Sequence, residues 1–241
     1  MNLEENFRKV QQRIEAACAR AGRDPKDVTV VAVSKSQPPE AVRAAVDIGQ
    51  LIFGENRVQE AKAKIALCPE RARWHMIGHL QSNKARDAIA LFSVIQSVDS
   101  LSLAQELEKW ADKHAKTMPV LLEVNIAGES SKFGYNPDSV VRELPQINDL
   151  RHLEVHGLMT IAPYTTDAEK VRPVFRKLRE LKSQCEQVLG APLQHLSMGM
   201  SGDFEVAIEE GATMVRIGTA LFGPRTLARK AAAQGREEST E

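Results

Sequence analysis

A lysine stands immediately after the first apolar, β-branched run of the sequence. Lys35 follows the run Val28–Ser34, which has the length and composition of a buried strand. Because strand side chains alternate in direction, Lys35 is expected to share a face with Val31 and Val33. Desolvation on that face would favour the uncharged amine, which can form an imine with a carbonyl compound. The strand pattern by itself favours a simpler interpretation, in which Lys35 leaves the strand end for solvent.

A second group of residues has the composition of a phosphate site. Ser201 and Gly202 precede an apolar helical pattern over Phe204–Glu210, so they are expected to lie at a helix N-terminus, where unpaired backbone N–H groups favour an anion. Further along the chain, Gly218 would allow a ligand to approach closely, and Thr219 would add a hydroxyl donor. An ordinary helix cap with a loop glycine explains the same residues equally well.

An arginine lies in the last apolar run of the sequence. Arg216 alternates with Met214 and Gly218, so it is expected to face the same side of its strand as Gly218. A buried arginine requires a hydrogen-bond acceptor. A pyridine nitrogen is one candidate acceptor, and an ion pair with Glu123 or another inward acid is the structural alternative.

Eight short apolar runs are expected to position these residues as strands. Each is bounded by glycine, proline, asparagine, aspartate or serine, as is typical of buried parallel strands. The predicted strands are Val28–Ser34, Leu51–Gly54, Trp74–Gly78, Phe92–Val98, Pro119–Ile126, Glu154–Met159, Gln194–Met198 and Thr213–Ile217. Helical spacing of apolar residues predicts the helices Asn2–Ala21, Pro39–Ile48, Leu101–Ala115, Asp167–Leu189 and Phe204–Glu210.

Strands that alternate with helices predict an α/β fold with a parallel sheet. Eight units in 241 residues fit a single (β/α)₈ TIM barrel of ~250 residues better than an open doubly wound sheet. The barrel is expected to carry an extra N-terminal helix and to span residues 1–229. Residues 230–241, rich in alanine and charge, are predicted to form a flexible tail.

Composition narrows the possible functions and partners. Lys+Arg and Asp+Glu both number 32, so no charge-driven affinity for nucleic acid or membrane is expected. The three cysteines suggest neither a disulfide framework nor a metal site. Since the charged N-terminus lacks a signal-peptide core and no run has the length of a membrane span, we expect a cytoplasmic protein.

Seven segments identify the chain as similar to a known family. They are AVSK (32–35), FGENRVQE (53–60), WHMIGHLQSNK (74–84), EVNIAGESSKFG (123–134), HGLMTIAP (156–163), LSMGMSGDFEVAI (196–208) and GATMVRIGTALFG (211–223). Their order and spacing resemble the YggS/PROSC-like pyridoxal 5′-phosphate (PLP) homeostasis proteins, whose fold is similar to the N-terminal barrel of alanine racemases. Ser36, where the family more often has threonine, and the segment 134–137 depart from the pattern.

The resemblance implies PLP as the cofactor and assigns roles to seven residues. Lys35 would hold PLP as a Schiff base, and Arg216 would contact the pyridine nitrogen. The remaining implied ligands are the phosphate contacts Ser201, Gly218 and Thr219 and the pocket residues Asn56 and Met200.

The implied function is intracellular PLP (vitamin B6) and amino-acid homeostasis rather than catalysis. An arginine on the ring nitrogen should weaken the electron sink that PLP enzymes use. The chain ends soon after the eighth strand, so we expect no second domain, no catalytic residue and a monomer that can supply PLP-dependent apo-enzymes. The alternatives are a racemase-like PLP enzyme acting on an unknown amino acid and an aldolase-like barrel that forms an imine with a sugar phosphate.

Overall fold

Eight parallel strands close into one barrel. The structure is a computed structural model and describes residues 2–223. The strands are β1 (Thr29–Val33), β2 (Ile52–Glu55), β3 (Arg73–Met76), β4 (Val94–Val98), β5 (Met118–Glu123), β6 (Leu153–Met159), β7 (His195–Ser197) and β8 (Met214–Ile217). Every predicted strand is therefore present, with its ends shifted by three residues or fewer.

The first and last strands pair with each other and close the sheet. Ala32 lies opposite Phe53 of β2 on one side and opposite Ile217 of β8 on the other. The strand order is β1 to β8 in sequence, without a reversal. The predicted (β/α)₈ barrel is confirmed over the open doubly wound sheet.

Helices connect the strands and cover the outside of the barrel. They are α1 (Leu3–Ala21), α2 (Pro39–Asp47), α3 (Val58–Ile65), α4 (Ala85–Leu91), α5 (Leu101–Lys113), α6 (Pro137–Asn148), α7 (Arg172–Leu189), α8 (Phe204–Glu209) and α9 (Thr219–Phe222). The prediction of one continuous helix over Asp167–Leu189 is wrong. A 3₁₀ turn over Ala168–Val171 precedes α7, since Pro173 favours the first turn of a new helix.

The extra N-terminal helix is confirmed, and side chains attach it to the end of the barrel. Asn2 caps α1 by accepting a hydrogen bond from the Glu4 N–H, and Gly22 ends it in the left-handed conformation at φ 64°. Arg13 forms an ion pair with Glu205 of α8 at 2.8 Å. Asn6 donates to the carbonyl oxygen of Leu221 in α9. Helix α1 therefore packs against α8 and α9, the two short helices that follow β7 and β8.

Two apolar clusters form the core. The larger one lies between the strands and the surrounding helices and includes Phe53, Phe175 and Phe204, all fully buried. The smaller one joins strand residues that face the barrel axis. Its buried members are Val31, Ile77, Leu121, Met159 and Met214, with Val33, Ile52 and Ile161 packed against them.

Two further sequence expectations concern the ends of the chain and membranes. The predicted domain boundary at residue 229 and the predicted tail 230–241 lie outside the described residues. Within residues 2–223, none of the helices combines the length and apolar character needed to cross a membrane. The same part of the chain contains no cluster of three or more histidine, cysteine or acidic side chains suited to a metal ion.

Candidate functional site

Lys35 lies in a tight turn rather than on the strand. β1 ends at Val33, and Val31 and Val33 belong to the inner cluster as predicted. Lys35 itself is half-buried, between the desolvated amine and the solvent-facing lysine that the sequence left open. Because the strand ends two residues earlier, the turn and not strand alternation sets the backbone direction at Lys35. The following residue, Ser36, adopts φ 62°, a left-handed conformation that costs an L-residue about 1–2 kcal/mol.

The turn of Lys35 lies beside the start of α9. A Cβ built on Gly218 would lie 3.4 Å from the Cβ of Val33 and 3.5 Å from its carbonyl oxygen. The Ser201 hydroxyl accepts hydrogen bonds from the backbone N–H groups of Gly218 and Ala220, both at 3.3 Å. The loops after β7 and β8 therefore direct two backbone donors at one point, as a phosphate-binding loop does.

The loop after β7 requires a glycine and a buried carboxylate to keep its shape. Gly199 has φ 92°, and a Cβ there would lie 2.6 Å from the Cβ of Ala207. Asp203 accepts a hydrogen bond from the backbone N–H of Met200 at 2.6 Å. Burial raises the pKa of Asp203, and the Met200 N–H and the charge of Arg216 oppose that shift. Residues 199–203 thus form a fixed loop that presents Ser201.

Arg216 is buried inside the barrel mouth and is held by neutral acceptors. Its Nη1 donates to the Ser197 hydroxyl, and its Nη2 donates to the carbonyl oxygen of Thr160, both at 2.7 Å. Burial lowers the pKa of Arg216 to about 10, while the charges of Glu123 and Asp203 raise it. No carboxylate of the described residues forms an ion pair with this guanidinium, so the alternative of an Arg216–Glu123 pair is wrong.

A chain of buried hydrogen bonds continues from Arg216 across the barrel. The Ser197 hydroxyl donates to Gln96 Oε1 at 2.7 Å, and Gln96 Nε2 lies 2.8 Å from His75 Nδ1. Burial lowers the pKa of His75 to about 4, so the ring is neutral. Since the amide nitrogen of Gln96 can only donate, His75 Nδ1 accepts. Every donor in the chain points away from Arg216, which fixes the orientation of its guanidinium.

Glu123 supplies a titratable carboxyl at the same end of the barrel. Its side chain is 5% exposed, and burial raises its pKa to about 7. The charge of Arg216 opposes this shift, and Asp99 adds to it. Glu123 can therefore take up or release a proton near neutral pH.

A cavity of about 280 Å³ opens beside Glu123. Asn56 lies on its wall, and the buried Asn56 Oδ1 has no hydrogen-bond partner. The ring of His79 stacks on Phe133 at 3.5 Å between centroids, and His79 Nδ1 lies 2.9 Å from an Asp99 carboxylate oxygen. The lining consists of Asn56, Ile77–His79, Glu123–Asn125, Ser131–Phe133 and Ile161. The cavity thus joins apolar side chains such as Ile77 and Ile161 to the unpaired amide oxygen of Asn56.

The predicted ligands occupy two neighbouring parts of the barrel mouth. Ser201 and Gly218 are hydrogen-bonded to each other, Thr219 is exposed at the start of α9, and Met200 is half-buried in the loop that presents Ser201. Asn56 lies apart from them, after β2. Their roles as cofactor ligands stay predictions.

Sequence reasoning missed the residues that support these ligands. Three polar residues occupy inward positions of otherwise apolar strands: His75, Gln96 and Ser197. This exception to the apolar pattern could have indicated a polar site inside the barrel. Lys64 gave a similar signal, because it lies on the buried face of α3 with Val58 and Ala61.

Comparison with known proteins places this architecture in a family. The family described as alanine racemase, N-terminal domain, matches residues 2–226. The pyridoxal phosphate homeostasis protein of Aquifex aeolicus strain VF5 is 46% identical over 226 residues, which cover 93% of this chain and 99% of the relative. The chain belongs to the alanine racemase N-terminal domain family and, within it, to the pyridoxal phosphate homeostasis proteins.

Solved structures agree with this family at two levels of similarity. PipY of Synechococcus elongatus PCC7942, solved with PLP bound, superposes on this chain with a TM-score of 0.81 and is 38% identical to it. The match covers 92% of this chain and 100% of PipY. Alanine racemase of Clostridium difficile 630 superposes with a TM-score of 0.72 at 17% identity, over 93% of this chain and 60% of the racemase. The second comparison shows a shared barrel fold.

Proposed function

We propose that this chain binds PLP through a Schiff base on Lys35 and acts in PLP homeostasis as a carrier. The proposal is supported by the family membership, by the PLP bound to PipY and by the homeostasis names of its relatives. The observation that carries it is Arg216, a buried guanidinium at the barrel mouth whose two hydrogen bonds go to neutral oxygens.

The donors and acceptors of the mouth fit PLP. The backbone N–H groups of Gly218 and Ala220 converge on the Ser201 hydroxyl and suit a phosphate monoester. The unpaired Asn56 Oδ1 beside the 280 Å³ cavity suits a polar ring substituent or a water bound to it. A guanidinium has five N–H donors, so Arg216 retains donors for a ring nitrogen.

The lysine would hold the cofactor covalently. Lys35 would hold the aldehyde carbon of PLP through an imine, and the carbonyl oxygen would leave as water with the two amine protons. PLP supplies an electron sink when its ring nitrogen is protonated. A charged donor at that nitrogen disfavours the protonation, so Arg216 favours storage of the cofactor over carbanion chemistry.

Glu123 favours a second candidate, a racemase-like PLP enzyme acting on an amino acid. Its carboxyl lines the cavity and has a pKa raised to about 7 by burial, which is suitable for proton transfer at neutral pH. This candidate requires substrate to occupy the cavity beside Glu123 within reach of a cofactor held on Lys35.

One experiment separates the carrier from the enzyme. PLP-loaded protein is dialysed, its bound PLP is quantified, and it is then mixed with a PLP-dependent apo-transaminase or assayed with amino acids. A carrier retains about one PLP per chain, restores the apo-enzyme, and shows no racemase, decarboxylase or transaminase turnover. Turnover at ordinary enzymatic rates, on the order of 10 s⁻¹, would contradict the carrier and support the second candidate. Cytoplasmic location, a monomeric state and delivery to apo-enzymes are parts of the same proposal.

A further inference from the structure

A cluster of charged side chains, buried at Lys64 and Glu55 and 32% exposed at Glu60, lies beside the turn that carries Lys35. It consists of Lys64, Glu55 and Glu60, which come from β2 and α3 on the outer side of the sheet. Lys64 Nζ lies 2.5 Å from Glu55 Oε1 and 3.3 Å from Glu60 Oε1. The side chain of Lys64 is 6% exposed and that of Glu55 is 0% exposed. We call Glu55, Glu60 and Lys64 the ionic cluster.

The hydrogen bonds of the ionic cluster converge on the two neighbours of Lys35. Lys64 Nζ donates to the carbonyl oxygen of Ser34 at 2.7 Å, and the Ser34 hydroxyl donates to Glu55 Oε1 at 2.7 Å. On the other side, the backbone N–H of Ser36 donates to Glu60 Oε1 at 2.5 Å. The peptide groups before and after Lys35 are therefore both held by charged side chains.

Stability alone gives little reason for such a cluster. Burying the ammonium of Lys64 and the carboxylate of Glu55 costs desolvation energy, and well-packed apolar residues in their place are often neutral or stabilising. The cluster does, however, bind the peptide group of Ser36 in its left-handed conformation at φ 62°. A charged acceptor held at this point offsets the conformational cost that a serine pays there.

We propose that Lys64 and Glu60 are positioning residues for Lys35, which fix the turn so that the amine is presented for Schiff-base formation. This inference rests on the proposed function and deepens it. Reaction of an amine with a bound aldehyde requires near-attack geometry, and a displacement of about 1 Å reduces such rates up to a hundredfold. The hydrogen bonds given for the ionic cluster go to Ser34 and Ser36 and to its own members, so we expect cofactor affinity through the loops after β7 and β8 to be unchanged.

The test compares Schiff-base formation with binding of an analogue that cannot form it. Lys64→Met and Glu60→Ala are purified, and the rate of PLP imine formation is followed by visible absorbance. Affinity for pyridoxine 5′-phosphate, an alcohol without the aldehyde, is measured by calorimetry. Both variants are expected to form the imine at least about tenfold more slowly and to bind the analogue within about twofold of the unmodified protein. Lys62→Met is the matched control, since Lys62 is two residues away on α3 and 63% exposed.

A rescue variant distinguishes positioning from a general structural role. Glycine adopts positive φ without strain, so Ser36→Gly in the Glu60→Ala background is expected to restore at least half of the lost rate on a logarithmic scale. If Lys64→Met does not fold, as judged by circular dichroism, the inference is tested by Glu60→Ala and by the Glu60→Ala, Ser36→Gly double variant alone.

Two results would overturn the inference, and a third would overturn the function beneath it. The first is imine formation at the unmodified rate in folded variants. The second is a loss of analogue affinity that parallels the loss of rate. If the unmodified protein binds pyridoxine 5′-phosphate and PLP without any imine, the proposed function itself is wrong.

Discussion

The two sides of the barrel mouth differ in how far their polar groups are paired. On the side of β6, β7 and β8, hydrogen bonds engage both Nη atoms of Arg216 and the hydroxyl groups of Ser197 and Thr160. On the side of β2, β4 and β5, buried polar atoms without a hydrogen bond occur in several residues of the described chain. These residues are Asn56, which lines the cavity, Glu55, whose side chain lies on the outer side of the sheet, and Ser97, Glu129 and Tyr135, although Glu129 also forms an ion pair with Lys132.

This difference indicates that the two sides of the barrel mouth have different functions. Unpaired buried polar atoms cost about 1–3 kcal/mol each, so a fold retains them where a ligand or water completes them. The paired side is built before any ligand arrives and suits the constant parts of a cofactor, its phosphate and its ring nitrogen. On the other side, the unpaired Asn56 Oδ1 borders the 280 Å³ cavity, which leaves room for a bound group. The predictions below test whether the two sides behave differently.

Replacing the central residue of the paired side should have the largest effect. Arg216→Met leaves the Ser197 hydroxyl and the Thr160 carbonyl without their buried donor, so we expect a loss of about 4 kcal/mol in the free energy of unfolding. Urea titration measures it, and the PLP dissociation constant should rise at least about tenfold. Arg142→Met, at a side chain 68% exposed, is the control. A loss of less than about 1 kcal/mol would show that the paired side is not preorganised by Arg216.

The pH dependence of stability tests the unpaired side. The pKa of Glu123 is raised from an ordinary value of 4.5 to about 7 in the folded protein. Protonation of this carboxyl therefore stabilises the folded state, and the stabilisation is fully present below pH 4.5. That stability is lost as pH rises through 7. The Glu123→Gln variant avoids this loss because glutamine does not ionise. At pH 8 its free energy of unfolding should exceed that of the unmodified protein by a value on the order of 3 kcal/mol.

The measurement is a series of urea titrations between pH 4.5 and pH 8 on both proteins. The difference in unfolding free energy should be smallest at the acid end and grow to a plateau above pH 7. Glu70→Gln, at an exposed turn at the opposite end of the barrel, is measured in parallel. A difference that does not change with pH would show that Glu123 is not held protonated by burial.

Thr219 tests the exposed part of the paired side. Thr219→Val removes one hydroxyl donor near the predicted phosphate position and should raise the PLP dissociation constant about tenfold, as for one hydrogen bond to a charged group. Equilibrium dialysis measures the constant. The isosteric control is Thr117→Val, an exposed residue before β5 at the far end of the barrel. Equal affinities for all three proteins would remove Thr219 from the site.

Asn56 should give the smallest effect and the sharpest contrast between the sides. Its Oδ1 has no partner in the structure, so Asn56→Ala removes no hydrogen bond at this atom and should change unfolding free energy by less than about 1 kcal/mol. Its PLP affinity should nevertheless fall about fivefold. Asn148→Ala, exposed at the end of α6, controls for the loss of an amide. A large loss of stability with unchanged affinity would reverse the assignment of Asn56.

The strands could be predicted closely from the sequence, whereas several helices were not predicted. β-Branched runs between turn residues locate strands well, as Thr29–Val33 illustrates. The helices after β2, β3, β5 and β8 were not predicted. α9, after β8, has only four residues, and each of the other three has a feature that weakens a helix prediction. α3 buries a lysine, α4 has only seven residues, and α6 contains Pro145.

Pairings between distant residues explain what could not be predicted at the site. Ser197 and Gln96 are 101 positions apart and meet only when β4 and β7 face each other across the barrel. Likewise, Ser36 and Glu60 are 24 positions apart, with the whole of α2 and β2 between them. Periodicity indicates which residues face inward, whereas their partners depend on closure of the whole sheet. Lys35 was identified through segment resemblance, because the strand pattern alone favoured a solvent-facing lysine.

The most direct test of the account is the identity of the lysine that holds the cofactor. PLP-loaded protein is reduced with borohydride, digested, and mapped by mass spectrometry, with Lys35→Ala treated in the same way. We predict one reduced PLP adduct per chain on the peptide that contains Lys35, and none on the Lys35→Ala protein. An adduct confined to another lysine such as Lys132, or an unlabelled protein that retains bound PLP, would contradict the account.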